Sequence, residues 1–441
     1  MIRFTALPQD GRGIMSLSSL APQEIADRLA LARTDYESFA AGGLDLDITR
    51  GKPSAAQLDL ADPLLTAVGP GDARAADGTD TRNYGGLAGL PEIREIFAPL
   101  LSVPAAQLLA QGSSSLTLMR DALSFMLLHG RPGSAGPWVR EPVRMLCPVP
   151  GYDRHFQLAA SLGFELIPVG MDGDGPDLAQ IAELTRTDAS IKGIWIVPVH
   201  SNPTGLSMSV DRARALMELT TAAPDFTVLW DNAYALHHLR EPHPEPIDIL
   251  GLAAQAGHPD RPLVFASTSK ITFAGAGVAF VGGSPAMIDW FSGHTGAGSI
   301  GPDKINHLRH ARFFGSPEGV QEHMRKHAQL LAPKFDAVDE VFARELGPDD
   351  LAAWTRPAGG YFVTLAVPPG TAAHVVKLAA EAGVKLTPAG ATHPHGIDPD
   401  DAIIRIAPSM PPLEEVVEAA EVVAACVRVA AYETAASASA D

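Results

Sequence analysis

Six short runs in the middle of the chain are apolar almost from end to end: RMLCPVP (144–150), GFELIPV (163–169), GIWIVPV (193–199), FTVLW (226–230), PLVFAS (262–267) and VAFVGG (278–283). A strand with one wet face alternates apolar and polar residues, whereas a strand covered on both faces does not. Between these runs lie stretches such as DRARALMELTTAA (211–223), with apolar residues at helical spacing. Buried strands alternating with amphipathic helices predict an α/β fold, a mostly parallel sheet with helices on both faces. Most polar punctuation falls just after the strands, on the edge where open α/β sheets bind ligands.

The ends of the chain read differently. A long helical pattern begins at residue 317. Three strand-like runs follow, PAGGYFVTLAV (357–367), GVKLTPAG (383–390) and AIIRIAP (402–408), and an Ala/Val/Glu-rich helix spans 412–432. The expected division is a large α/β domain over 61–316 and a smaller α+β domain made of 1–60 and 317–441. GRPGSAGPW (130–138) reads as a loop. MDGDGPD (171–177) reads as a turn, because no glutamate stands at the twelfth position that a calcium loop requires.

Composition narrows the classes of partner. A formal net charge of −18 argues against nucleic acid and anionic membrane surfaces. The two cysteines, Cys147 and Cys426, form no CxxC pair and signal neither a disulfide framework nor a zinc site. The opening MIRFTALPQDGRG has no apolar signal-peptide core, and no apolar run reaches ~18 residues, so a cytoplasmic protein is expected. Fifteen histidines raise a metal reading, yet none stands in an HExxH-like arrangement, and no metal is expected. Neither a GxxxxGK[ST] loop nor a GxGxxG fingerprint is present.

Five polar strand ends would meet on one edge of the sheet. They are QGSSSLTLM (111–119), CPVPGYDRHF (147–156), HSNPTG (200–205), DNAY (231–234) and FASTSK (265–270). The last places Lys270 after a buried strand and before an uncharged Gly/Ala-rich segment, although lysine is rarely buried without a partner. Aspartate, an aromatic ring, serines at a helix start and a desolvated amine together suit a phosphorylated aromatic aldehyde held by a lysine. That is pyridoxal 5′-phosphate (PLP).

The chain resembles the fold-type I, class I aminotransferases over nearly its whole length. The motifs YGGLAG (84–89), GSSS (112–115), PGY (150–152), NPTG (202–205), DxxY (231–234), SxSK (267–270), GGYF (359–362) and RIA (405–407) stand in the family's order. RNYGGLAG and STSKITFAGAGV are similar to a bacterial aspartate aminotransferase branch. The resemblance implies the PLP-dependent transferase fold and a Schiff base between Lys270 and the cofactor, with Lys270 also moving the substrate Cα proton. It implies Asp231 at the pyridine nitrogen, Asn202 and Tyr234 at the phenolic oxygen, and Tyr152 on the ring face. Ser114, Ser115, Ser267 and Ser269 would receive the phosphate, as would Tyr84 across a dimer interface. Arg405 would clamp the substrate α-carboxylate, with Asn202 and the Gly51 backbone close by.

Several of these residues also have plain structural uses. Aspartate after a strand often caps a turn, serines cap helices, and an arginine in an apolar strand can serve an internal salt bridge. One departure from the family stands out: Val278 occupies the place of a phosphate-binding arginine. Either Lys304 of a neighbouring subunit replaces it, or the helix terminus and hydroxyls suffice. For the substrate's second carboxylate, Lys304, Arg309, Arg50 and His294 are the stand-ins. The expected activity is transamination between amino acids and 2-oxo acids, aspartate with 2-oxoglutarate foremost, by a ping-pong mechanism in a homodimer. The alternatives are another amino donor or a lyase on the same scaffold, and, remotely, a non-catalytic PLP-binding regulator.

Overall fold

A computed structural model describes residue 17 and residues 20–438. The opening segment read above for a signal peptide therefore lies outside the described residues.

Seven strands form the central sheet: β1 (Leu108–Ala110), β2 (Arg144–Pro148), β3 (Glu165–Val169), β4 (Ile191–Ile196), β5 (Thr227–Asp231), β6 (Pro262–Ser267) and β7 (Ala279–Gly282). Their order across the sheet is β1-β7-β6-β5-β4-β2-β3. All six apolar runs become strands, and β2 to β6 pair in parallel. The last run, β7, lies antiparallel to both β6 and β1. At three residues, β1 is too short to stand out as an apolar run.

The runs lack polar alternation because both faces of the sheet are buried. Val228 and Trp230 of β5 face one hydrophobic cluster with Val264 and Phe280. Leu229 faces the other with Leu263, Phe265 and Val281. Helix α2 (Ser115–His129) supplies Leu118, Met119 and Leu123 to that second cluster. Helix α3 (Asp153–Ser161) follows β2, and helix α4 (Lys304–Phe314) packs near the lysine segment.

A third cluster joins the N-terminal segment to the C-terminal part. It includes Leu46, Ile48, Phe335, Val338, Leu365, Ile404 and Val423. Its frame is a three-stranded antiparallel sheet, β8 (Ala353–Trp354), β9 (Val363–Ala366) and β10 (Ile403–Ile406), in that order. Helices α1 (Pro22–Ala40), α5 (Pro317–Glu345) and α6 (Leu413–Ala438) cover it. Two expectations need correction. The run 383–390 does not join this sheet: only Val384–Lys385 is extended, paired in parallel with Leu46–Asp47. The final helix continues past residue 432 to Ala438, because its apolar face keeps Val429, Ala430 and Tyr432 buried and Glu433 pairs with His374 and Arg33.

Candidate active site

Lys270 sits three residues beyond β6. Its Nζ lies 4.8 Å from the centre of the Tyr234 ring and makes no hydrogen bond or ion pair among the described residues. Burial lowers the pKa of the amine, and the nearby Asp231 carboxylate works in the opposite direction. Burial also holds the Tyr234 phenol well above its ordinary value. The backbone carbonyl of Lys270 accepts hydrogen bonds from Tyr361 Oη and His237 Nε2, each at 3.3 Å. The main chain is thus tied down where the side chain is left free.

Asp231 closes β5 and is 2% exposed. Its Oδ2 lies 2.9 Å from His155 Nε2, while Oδ1 is buried with no partner. His155 stacks flat on Trp195, with ring centres 4.8 Å apart and planes within 4°. Tyr152 meets the same imidazole edge-on at 5.0 Å, and burial pushes its phenol up to about 12. A carboxylate oxygen buried without a donor is costly, so this atom marks where a cationic N–H of a ligand fits.

The serines converge. Ser114 caps α2 by accepting from Thr117 N at 3.3 Å, and Ser115 begins the helix. Ser269 Oγ donates to Ser113 O at 3.1 Å, and Ser267 Oγ donates to Ser269 Oγ at 3.0 Å. Hydroxyls from two strand ends therefore surround a helix N-terminus, the arrangement that receives phosphate. Val278 is fully buried in the core and brings no charge to it.

Lys304 is engaged within its own chain. Its Nζ donates to Asn83 O at 2.7 Å and Gly85 O at 2.6 Å of its own chain, pinning the loop that carries Tyr84. Tyr84 itself is 83% exposed, and its backbone N–H donates to Asn83 Oδ1. Of the other stand-ins, His294 stacks on His129 at 4.5 Å and Arg50 is exposed. Arg309 is half-buried, with Nε unpartnered. None of them meets Arg405 among the described residues.

Arg405, on β10, is buried. Nη1 donates to Asp153 Oδ1 at 3.0 Å and Asn202 Oδ1 at 3.3 Å, and Nη2 donates to Thr387 Oγ1 at 3.2 Å. The guanidinium lies 5.0 Å over the Phe362 ring, and Nε has no partner. Gly51 backs this ring: a Cβ there would stand 2.6 Å from Phe362 Cζ. Asn202 and Arg405, far apart in sequence, thus form one polar group.

Sequence reasoning missed two sets of residues. His155 lies inside the quoted CPVPGYDRHF, three residues after Tyr152, and helical spacing could have flagged it. The buried relay behind Lys270 left no such signal. Gln57 Nε2 donates to Tyr361 Oη at 2.9 Å and lies 3.0 Å from His327 Nδ1, and His327 Nε2 is 3.1 Å from His323 Nε2. His323 Nε2 in turn donates to Ile271 O at 2.7 Å.

PLP fits these residues. The bare Asp231 Oδ1 matches a protonated pyridine nitrogen, the bare Lys270 amine matches an aldehyde, and the hydroxyl cup matches a phosphate. Among the described residues no hydrogen bond ties a cation to these hydroxyls.

A family model described as aspartate aminotransferase matches residues 20–439. The chain is 50% identical over 423 residues to the aspartate aminotransferase of Corynebacterium glutamicum, covering 95% of this chain and 98% of that one. A crystal structure of an aspartate transaminase from the same organism superposes with a TM-score of 0.93 at 49% identity, covering 96% of this chain and all of that one. The α-aminoadipate aminotransferase of Thermus thermophilus, complexed with N-(5′-phosphopyridoxyl)-L-leucine, gives a TM-score of 0.71 at 19% identity, covering 88% and 92% of the two chains. That last likeness speaks to the fold alone.

Proposed function

The chain belongs to the aspartate aminotransferase family, a family of PLP-dependent enzymes, and from that premise we propose that it moves the amino group of aspartate to 2-oxoglutarate. The observation that carries the site assignment is the pairing of a half-buried Lys270 amine that has no hydrogen-bond partner with the buried, unpartnered Asp231 Oδ1. The two lie at the carboxyl ends of neighbouring strands.

When bound, PLP supplies an electron sink for the pair released at the substrate Cα. In this reading Asp231 Oδ1 would accept the ring N–H, with His155 fixing its other oxygen. The Tyr152 ring covers one face. Asn202 and Tyr234 direct their polar ends to the ring oxygen, and Ser114, Ser115, Ser267 and Ser269 hold the phosphate. Lys270 Nζ would hold the cofactor aldehyde. Burial lowers the pKa of this amine, which favours the neutral form that would take the Cα proton and deliver it two bonds away. Arg405 binds the α-carboxylate, with Asn202 and Gly51 beside it.

One site handles both acids in turn, so the first product leaves before the second acid enters, which is ping-pong kinetics. Tyr84 is offered to a second subunit, and the reading includes a symmetric homodimer with shared sites. A cytoplasmic location belongs to it as well, supported by two free, buried cysteines.

The test is the absorbance of the purified holoenzyme on adding aspartate and then 2-oxoglutarate. The visible cofactor band should fade and return, with glutamate as product. A band indifferent to both acids would overturn the proposal. With serine or cysteine as the added amino acid, pyruvate and ammonia in place of glutamate would favour a lyase, and a response only to other amino donors would move the substrate.

A further inference from the structure

A guanidinium assigned to an incoming α-carboxylate is, in this structure, already holding a carboxylate of its own chain. Arg405 Nη1 and Asp153 Oδ1 are 3.0 Å apart, with 6% and 21% of their side chains exposed. Asp153 is the first residue of α3, directly after Tyr152, and belongs to the sheet-edge cluster rather than to the small domain that carries Arg405. It also lines a cleft of about 390 Å³, together with Gln157, Pro388, Ala389 and His393, so the side chain has open space to turn into.

Two carboxylates cannot share Nη1 cheaply, since like charges a few ångströms apart repel. Resting on the assignment of Arg405 above, we propose that Asp153 is a resident stand-in for the substrate α-carboxylate, which holds Arg405 between turnovers and yields to the incoming acid. The arrangement keeps a buried arginine paired when no substrate is present, where an unpaired one is strongly unfavourable. The same contact weakens binding of every acid, in both halves of the reaction. Stability and affinity therefore pull in opposite directions at one residue. A purely structural salt bridge would affect stability alone.

Maleate, a dicarboxylate with neither an amino nor an oxo group, probes this without turnover. It is titrated into the holoenzyme by calorimetry and by cofactor absorbance. Asp153→Asn is expected to bind maleate about five- to tenfold more tightly, the worth of one partly exposed ion pair, while unfolding at a lower temperature. Asp153→Ala should move both quantities in the same directions, which guards against a folding defect in either variant. Unchanged or weaker binding in both overturns the inference. Arg405→Gln tells the two readings apart. If it binds maleate like wild type, the assignment of Arg405 falls and this inference with it. If it loses affinity while neither Asp153 variant gains any, only the stand-in role fails. In the Arg405→Gln/Asp153→Asn double variant the gain should vanish, and a persisting gain overturns the inference as a long-range charge effect.

Discussion

Asp231 commits one carboxylate oxygen to His155 at 2.9 Å and leaves the other bare, so the imidazole sets the direction in which the free oxygen points. The ring of His155 is in turn fixed by its flat stack on Trp195. Replacing His155 by Phe keeps a flat ring on Trp195 and removes only the hydrogen bond. The expected loss in kcat/KM is about 10- to 100-fold, as for other residues that orient a reacting group from behind. Asp231→Ala should cost at least about a hundredfold, since it removes the charge aimed at the reacting system. Steady-state kinetics on both variants checks the ranking, and equal losses would remove His155 from the positioning role.

Gly51 is where a single methyl group should disturb the substrate clamp. A Cβ placed there would meet Phe362 Cζ at 2.6 Å, and Phe362 is the ring on which the Arg405 guanidinium rests at 5.0 Å. Gly51→Ala should therefore push the ring, and the arginine with it. Overpacking of this kind destabilises by about 1–3 kcal/mol. The KM for aspartate should rise about tenfold, with a smaller change in kcat, because the disturbed group binds substrate without taking its proton. A kcat loss at unchanged KM would contradict this.

These residues show what was legible in the sequence. Apolar runs without alternation pointed to the layered sheet, since Val228 and Trp230 need cover on one face and Leu229 on the other. The strand-end motifs located Lys270, Asp231 and Asn202 because polar residues interrupting such runs have few structural uses there. Pairings across long chain separations left no such mark. Gln57 with His327 and Arg405 with Asp153 are each more than two hundred residues apart. The run 383–390 had the composition of a strand, but whether a neighbour stands beside it depends on the packing of the whole small domain.

Lys304 links the loop of Tyr84 to α4 through two backbone carbonyls. Lys304→Met keeps the length of the stem and removes the donors, leaving Asn83 O and Gly85 O unpaired at a cost of about 1–3 kcal/mol. If Tyr84 serves a second subunit, as proposed, the variant should dissociate at higher protein concentration than wild type and hold PLP more weakly. Sedimentation equilibrium and cofactor dialysis measure the two effects. Loss of PLP with no change in association would assign Tyr84 to its own chain's site.

Buried histidines, among them His310, His327 and His200, make the fold sensitive to acid. Burial lowers His310 to about 4, with Thr272 Oγ1 2.9 Å from its Nε2. Burial, with His323 adding to it, lowers His327 to about 3. Burial, with His238 adding to it, lowers His200 to about 3. In the unfolded chain each imidazole takes up a proton near pH 6.5. Between that value and the folded one, the unfolded state binds more protons, so stability present above pH 6.5 is lost as the pH falls. Each imidazole contributes about 1.4 kcal/mol per pH unit in this window. Native carboxylates with lowered pKa values act in the same direction, but only below about pH 4. Melting temperatures between pH 7.5 and 5 therefore isolate the histidines. The midpoint should hold steady down to about pH 6.5 and then fall steeply, and the fall should be shallower in His327→Phe. A flat profile down to pH 5 would mean that these rings are reached by water and are not held neutral.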